Sequence, residues 1–214
     1  MDTTPELTTP RRWDPIVKLT HWGVVAAVIG NAILTEEGSG WHIWLGYGLA
    51  ALLALRLLWG LIGPAEARFS AFPPSPARAA AHIGEIGRGE VTQHRSHNPL
   101  GALMVYAIWA TLLVVCGTGI AMSGPPPADP FAQRGEHAER TAATGAQVQE
   151  EREEDEAGEE RESGEGEGEE SELGEVHEIA VNLLYVLIAL HLAGVIFETR
   201  RSGPQIVRSI LPGG

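Results

Sequence analysis

The sequence predicts an all-α integral membrane protein, a bundle of four helices that each cross the bilayer. The 214-residue chain contains four strongly apolar stretches, each about 22 residues long, the length that an α-helix needs to span a membrane. Glycine, proline and polar residues separate these stretches, as expected for the ends of helices. The formal net charge of −13 is confined to one segment, because residues 150–175 hold 15 acidic residues and two arginines, and the rest of the chain is neutral.

The first half of the chain predicts two spans. Residues 1–12 form a polar tail, and the first apolar stretch covers about residues 13–34. The second covers about residues 41–62, and Gly63 and Pro64 end it, since neither residue continues a helix well. Because the chain is polar up to the first apolar stretch, and that stretch is long enough to span the bilayer, we expect no cleavable signal peptide.

The second half predicts two more spans and a charged loop between them. Asn98 and Pro99 suit the N-cap and the first position of a helix, so the third span is expected at about residues 99–123. Residues 128–175 are rich in Glu and Gly and poor in apolar side chains, which predicts a disordered loop. The fourth span is expected at residues 176–197.

The basic residues predict the orientation of the bundle. Eleven of the 15 Lys and Arg residues lie in the N-terminal region, near the far end of the second span, in the loop after it, or after the fourth span. Short cytoplasmic segments carry such an excess, whereas the charge of a long loop is a poor guide. We therefore expect the tails, residues 1–12 and 198–214, in the cytoplasm and the acidic loop, residues 128–175, in the periplasm or outside the cell.

Four histidines near the ends of the spans form two pairs at matching depth. His21 and His191 are expected on the cytoplasmic side, and His42 and His177 on the outer side. His177 and His191 are 14 residues apart, which is close to four turns and about 21 Å along one face of a helix. Two imidazoles on facing helices are the axial ligands of a low-spin haem b. The sequence therefore predicts two haems b, and His21, His42, His177 and His191 as ligands of their iron.

Two alternatives remain for the histidines. Any one of them taken alone could be an ordinary residue of the membrane interface. A zinc site is the other alternative, although it needs three or four ligands close together. Cys116 is the only cysteine, which excludes a Cys-X-X-Cys-His attachment site and makes the haems non-covalent. We expect the other four histidines to be solvated: His82, His94, His97 and His137.

Arg56 and three glycines accompany the histidines. Arg56 lies 14 residues after His42 on the same face of the predicted helix, where its guanidinium could bind a haem propionate. The alternative is that the side chain extends to the cytoplasmic interface. Gly23, Gly46 and Gly194 each follow one of the paired histidines closely. Small residues admit either a flat ring or a neighbouring helix, and the sequence does not decide between the two.

Several segments resemble the bacterial cytochrome b561 family, which includes the b-type cytochrome subunit of nickel–iron hydrogenases. The strongest of these segments contain the paired histidines: KLTHW at 18–22, WHIWLGY at 41–47, HEIAVNLL at 177–184 and ALHLAGV at 189–195. Three further segments are similar: RLLWGLIGP at 56–64, ARFSAF at 67–72 and SHNPLGALM at 96–104. The resemblance covers nearly all of the chain except the N-terminal tail and the acidic loop.

The resemblance implies a dihaem cytochrome of the bacterial inner membrane that transfers electrons between the quinone pool and a redox partner. Such a partner would be a periplasmic c-type cytochrome, or a subunit of a hydrogenase or another reductase. Two other functions stay open, a free-standing superoxide:quinone oxidoreductase and a non-redox membrane anchor or sensor, so enzymatic activity is undecided. Lipid and quinone are expected partners and nucleic acid is not; the sequence leaves open whether the bundle forms a homo-oligomer.

The acidic loop departs from the compact loops of the family. Its charge could attract a basic partner protein over a long range, or it could simply keep the loop soluble.

Overall fold

The computed structural model describes residues 13–89, 98–131 and 163–211. Within these ranges all regular secondary structure is helical, which confirms the predicted fold class. The helices in chain order are α1 (Pro15–Ile33), α2 (Gly40–Ile62), α3 (Pro76–Gly87), α4 (Pro99–Ser123), α5 (Ser163–Ser202) and α6 (Gln205–Ile210). A 3-10 turn, Phe69–Ala71, lies between α2 and α3.

Four of the helices are long and apolar enough to cross a membrane. They are α1, α2, α4 and the Glu172–Ser202 part of α5. These helices also expose large apolar side chains, such as Leu61 and Ile179. Such a surface is costly in water and favourable in lipid.

Polar side chains set the starts of these helices. Asp14 Oδ1 accepts hydrogen bonds from the backbone N–H groups of Ile16 and Val17, at 2.9 and 3.2 Å. Asn98 Oδ1 accepts one from the N–H of Gly101 at 2.6 Å, as its predicted role of N-cap requires. In both helices a proline occupies the first helical position, where its missing N–H costs nothing.

The fourth long helix starts earlier than the sequence predicts. α5 begins at Ser163, whereas we expected residues 163–175 to belong to a disordered loop and the span to start at Val176. Glutamate is a good helix former, and its charge is stabilising near a helix N-terminus, so an acidic segment can extend a helix that the apolar span has nucleated. Residues 132–162 of the predicted acidic loop lie outside the described residues.

The chain divides into two compact units. The first contains Met1–Trp22, Arg56–Tyr106 and Ile188–Gly214, and the second contains Gly23–Leu55 and Ala107–Leu187. Each of the four long helices therefore contributes residues to both units.

In the first unit, tryptophan and lysine side chains connect distant segments. Trp59 Nε1 donates to Asp14 Oδ1 at 3.0 Å, which joins α2 to the start of α1. Trp22 Nε1 donates to the carbonyl of Ile210 at 3.0 Å, and Lys18 Nζ to that of Leu211 at 3.1 Å. These bonds hold α6 and the residue after it against α1.

In the second unit, the segment that follows α4 lies along the beginning of α2. Trp44 Nε1 donates to the carbonyl of Pro127 at 3.0 Å, and the hydroxyl of Tyr47 donates to that of Gly124 at 2.7 Å. The rings of Trp41 and Phe131 meet edge to face with centroids 5.7 Å apart. The buried apolar side chains of this unit include Ala27, Leu49, Leu53, Leu112, Ala180 and Leu184.

Candidate functional site

The four histidines lie in two pairs, one pair in each unit. His21 of α1 and His191 of α5 belong to the first unit, and His42 of α2 and His177 of α5 to the second. Within each unit the two imidazoles are close enough to interact electrostatically. We call His21 with His191 the first pair and His42 with His177 the second pair. This grouping is the one that the depth of each histidine within its predicted span indicates, and α5 contributes to both pairs.

Three of the imidazoles have contrasting surroundings. Nδ1 of His21 and Nδ1 of His42 are buried and have no hydrogen-bond partner among the described residues. Buried polar atoms in native proteins normally have a partner, and each exception calls for an explanation such as a bound group. His177 differs, since its buried ring has Nδ1 2.8 Å from Oγ1 of Thr118.

Thr118 and Gly119 of α4 form the surface on which the His177 ring lies. A Cβ added to Gly119 would come within 3.2 Å of Cε1 of His177, so the ring lies close against the helix backbone. The sequence analysis did not identify Thr118, because a lone threonine in an apolar helix usually bonds to its own backbone. Its contact is with a residue 59 positions away, which no local pattern reveals.

The glycines near the histidines fall into two kinds. A Cβ at Gly23 would lie 2.8 Å from Cδ1 of Leu52, so Gly23 allows two helices to pack closely. At Gly46 and Gly194 no protein atom lies within 4 Å of the place that a Cβ would take. Gly46 is one turn after His42, and Gly194 is one turn after His191. Apart from the backbone of its own helix, each of these positions is therefore open among the described residues, and Gly194 is also exposed.

Arg56 is buried in the first unit, with 7% of its surface exposed. Its Nη2 donates to the carbonyl of Ala67 at 3.2 Å, and its guanidinium lies 5.7 Å from the centre of the Phe69 ring. The carboxylate of Asp14 and the phenol of Tyr106 are close enough to interact with its positive charge. The side chain is thus buried within the unit that contains the first pair and is not solvent-exposed.

His82 is also buried rather than solvated. It is 2% exposed, and its Nδ1 lies 3.1 Å from Oε2 of Glu85 on the same helix, α3. The expectation was wrong because α3 turns this face inward, towards the protein. His94, His97 and His137 lie outside the described residues.

The described part of the chain has no group of three or more His, Cys, Asp or Glu side chains that could hold a metal ion. The zinc alternative therefore lacks a ligand set there. Cys116 is buried, as expected of a small apolar residue.

The family model of prokaryotic cytochrome b561 matches residues 12–213. The match includes all four paired histidines, Arg56 and the four long helices. No curated protein and no solved structure is significantly similar to the chain.

Proposed function

Because this chain belongs to the prokaryotic cytochrome b561 family, we propose that it is a dihaem cytochrome that passes electrons between the quinone pool and a redox partner. The family itself establishes a b-type membrane cytochrome that acts in electron transfer in a bacterial membrane. The presence of two haems, their ligands, the quinone and the partner are the proposal.

The two histidine pairs are the observation that supports two haems most directly. His21 and His191 would hold one haem b, and His42 and His177 the other. A haem b with two imidazole ligands supplies one-electron oxidation and reduction. In each unit the imidazoles come from different helices, which suits a flat group held between them. Gly46 and Gly194 leave room beside the pairs, so the residues present fit the group.

Arg56 is the proposed partner of a propionate at the first pair. The Arg guanidinium binds carboxylates through paired hydrogen bonds, and a buried cation is stabilised by a nearby anion. Arg56 is buried in the same unit as His21 and His191, which supports this role.

The acidic segment is the reason to propose a basic partner protein, such as a c-type cytochrome, rather than an acidic one. Residues 150–175 carry a net charge of −13, and such a charge speeds the association of an oppositely charged protein in a way that salt screens. Deleting residues 150–175 should flatten the salt dependence of partner reduction. An unchanged salt dependence would remove the support for a basic partner.

The excess of basic residues at both termini supports the cytoplasm as their location.

The first test is a dithionite-reduced minus oxidised spectrum of the purified protein, with haem per chain measured as the pyridine haemochrome. We expect a b-type spectrum and about two haems per chain. Replacing His42 or His177 by alanine should leave about one. His82→Gln is the control, since His82 lies outside both pairs, and it should retain both haems. A colourless protein from haem-replete cells would overturn the proposal and favour a membrane anchor.

A further inference from the structure

Thr118 takes part in two hydrogen bonds at once. Its Oγ1 lies 2.8 Å from the carbonyl oxygen of Val114, and the carbonyl of Val115 is a more distant acceptor at 3.3 Å. The same oxygen lies 2.8 Å from Nδ1 of His177. A threonine hydroxyl has a single proton to donate and two lone pairs to accept with. The carbonyls can only accept, whereas Nδ1 of an imidazole can donate or accept. Both 2.8 Å contacts are hydrogen bonds only if the hydroxyl donates to the helix backbone and accepts from the imidazole.

This arrangement determines the tautomer of His177. Its Nδ1 must carry a proton and donate it to Thr118, so in the neutral ring the lone pair is on Nε2. A haem at this pair would be held through a ring nitrogen that carries a lone pair, which in this tautomer is Nε2 alone. Helix α4 therefore fixes both the tautomer and the orientation of a histidine that belongs to α5. Gly119 contributes to the orientation, because a larger residue would push the ring away from α4.

His177 differs in this respect from His21 and His42. Nδ1 of His42, the other member of the second pair, and Nδ1 of His21, in the first pair, have no hydrogen-bond partner in the described ranges. A hydrogen bond from the free ring nitrogen makes a ligating histidine a stronger electron donor to its metal. A stronger donor stabilises ferric iron more than ferrous iron.

We infer that Thr118 is a positioning residue for the haem at the second pair, and that its hydrogen bond to His177 lowers the midpoint potential of that haem. The inference rests on the proposed function, since it presupposes that His42 and His177 hold a haem.

The test is an optical redox titration of the purified haem-loaded protein and three variants. Thr118→Val keeps the shape of the side chain and removes the hydroxyl, and Thr118→Ser keeps the hydroxyl. Thr111→Val is the matched control. Thr111 is also on α4 and is buried to a similar extent, 7% exposed against 9% for Thr118. Its hydroxyl donates to the carbonyl of Ala107 on its own helix, and it has no hydrogen bond to a histidine within the described residues. The single-haem variant His42→Ala shows which midpoint belongs to the first pair.

In Thr118→Val we expect the midpoint of the second-pair haem to rise. The variant should weaken the binding of ferric haem more than that of ferrous haem, and a tenfold change in the ratio of the two affinities corresponds to a rise of about 59 mV for one electron. Thr118→Ser and Thr111→Val should keep the wild-type midpoints.

Each of the other possible outcomes either supports or overturns the inference. An unchanged midpoint in Thr118→Val overturns the inference, as does an equal shift in Thr111→Val, which would trace the effect to the helix and not to the histidine. If Thr118→Val loses one haem, Thr118→Ser decides: wild-type haem content and midpoints support the inference, and loss of the haem overturns it. A wild-type protein without haem overturns the proposed function and this inference together, whereas two haems with unshifted midpoints overturn this inference alone.

Discussion

The indole N–H of Trp59 donates a hydrogen bond to Oδ1 of Asp14 at 3.0 Å. The same carboxylate oxygen accepts the N–H groups of Ile16 and Val17 at the start of α1. Asp14 therefore caps one membrane-spanning helix and connects it to a second one within the first unit. A single side chain thus determines both where α1 begins and where the end of α2 lies against it.

Asp14→Ala should destabilise the protein by about 1–2 kcal/mol, because the replacement removes the N-cap of α1 together with the acceptor of a tryptophan hydrogen bond. Trp59→Phe keeps the cap and an aromatic ring but loses that hydrogen bond, so its effect should be smaller, about 1 kcal/mol. Thermal unfolding of the detergent-solubilised variants would measure both. A larger loss in Trp59→Phe than in Asp14→Ala would contradict the role of Asp14 as a cap.

The pairing of the histidines predicts how double variants behave. His21→Ala with His191→Ala removes both members of the first pair, so the protein should keep about one haem per chain. His21→Ala with His42→Ala removes one member of each pair and should leave a protein with almost no haem. Both double variants lack two histidines, so each controls for the other. Equal haem content in the two proteins, measured as the pyridine haemochrome, would show that the pairs are wrong.

The order of the spans and the helical period explain why the histidines could be grouped from the sequence. Successive spans cross the membrane in opposite directions, so the position of a histidine within its span predicts its depth. Positions 14 residues apart on one helix share a face whatever the rest of the protein does, so His177 and His191 needed no tertiary information. The burial of His82 did need it, because the side of α3 that turns inward depends on the loop around it. The hydrogen bond from His177 to Thr118 likewise depends on how α4 and α5 meet, which neither segment encodes alone.

The extent of α5 could not be predicted for a related reason. Its first residues are acidic and glycine-rich, a composition typical of disorder, and yet the helix begins at Ser163. Local composition weighs each residue alone, whereas helix growth is cooperative and extends from an apolar segment that is already helical.

Arg56 should influence the potential of the haem at the first pair. A buried positive charge in that unit favours the ferrous form, which has one positive charge fewer, so Arg56→Gln should lower the midpoint of that haem. The titration is clearest in a His42→Ala background, where only the first-pair haem remains. Arg68→Gln is the control, because Arg68 belongs to the same unit but is exposed, where solvent screens its charge. A similar shift in both variants would mean that the effect is not specific to the buried arginine.

Gly46 should be needed for haem at the second pair. Leucine in its place would fill the room one turn from His42, so Gly46→Leu should bind about one haem per chain instead of two. Gly48→Leu is the matched control, because Gly48 is on the same helix and also has no protein atom within 4 Å of the place that a Cβ would take. It is six residues from His42, on a different face of the helix, and its replacement should leave both haems in place.

If Gly46→Leu retained two haems, the space beside Gly46 would be lipid-facing and would not hold the ring. If Gly48→Leu also lost a haem, the loss would reflect general damage to α2.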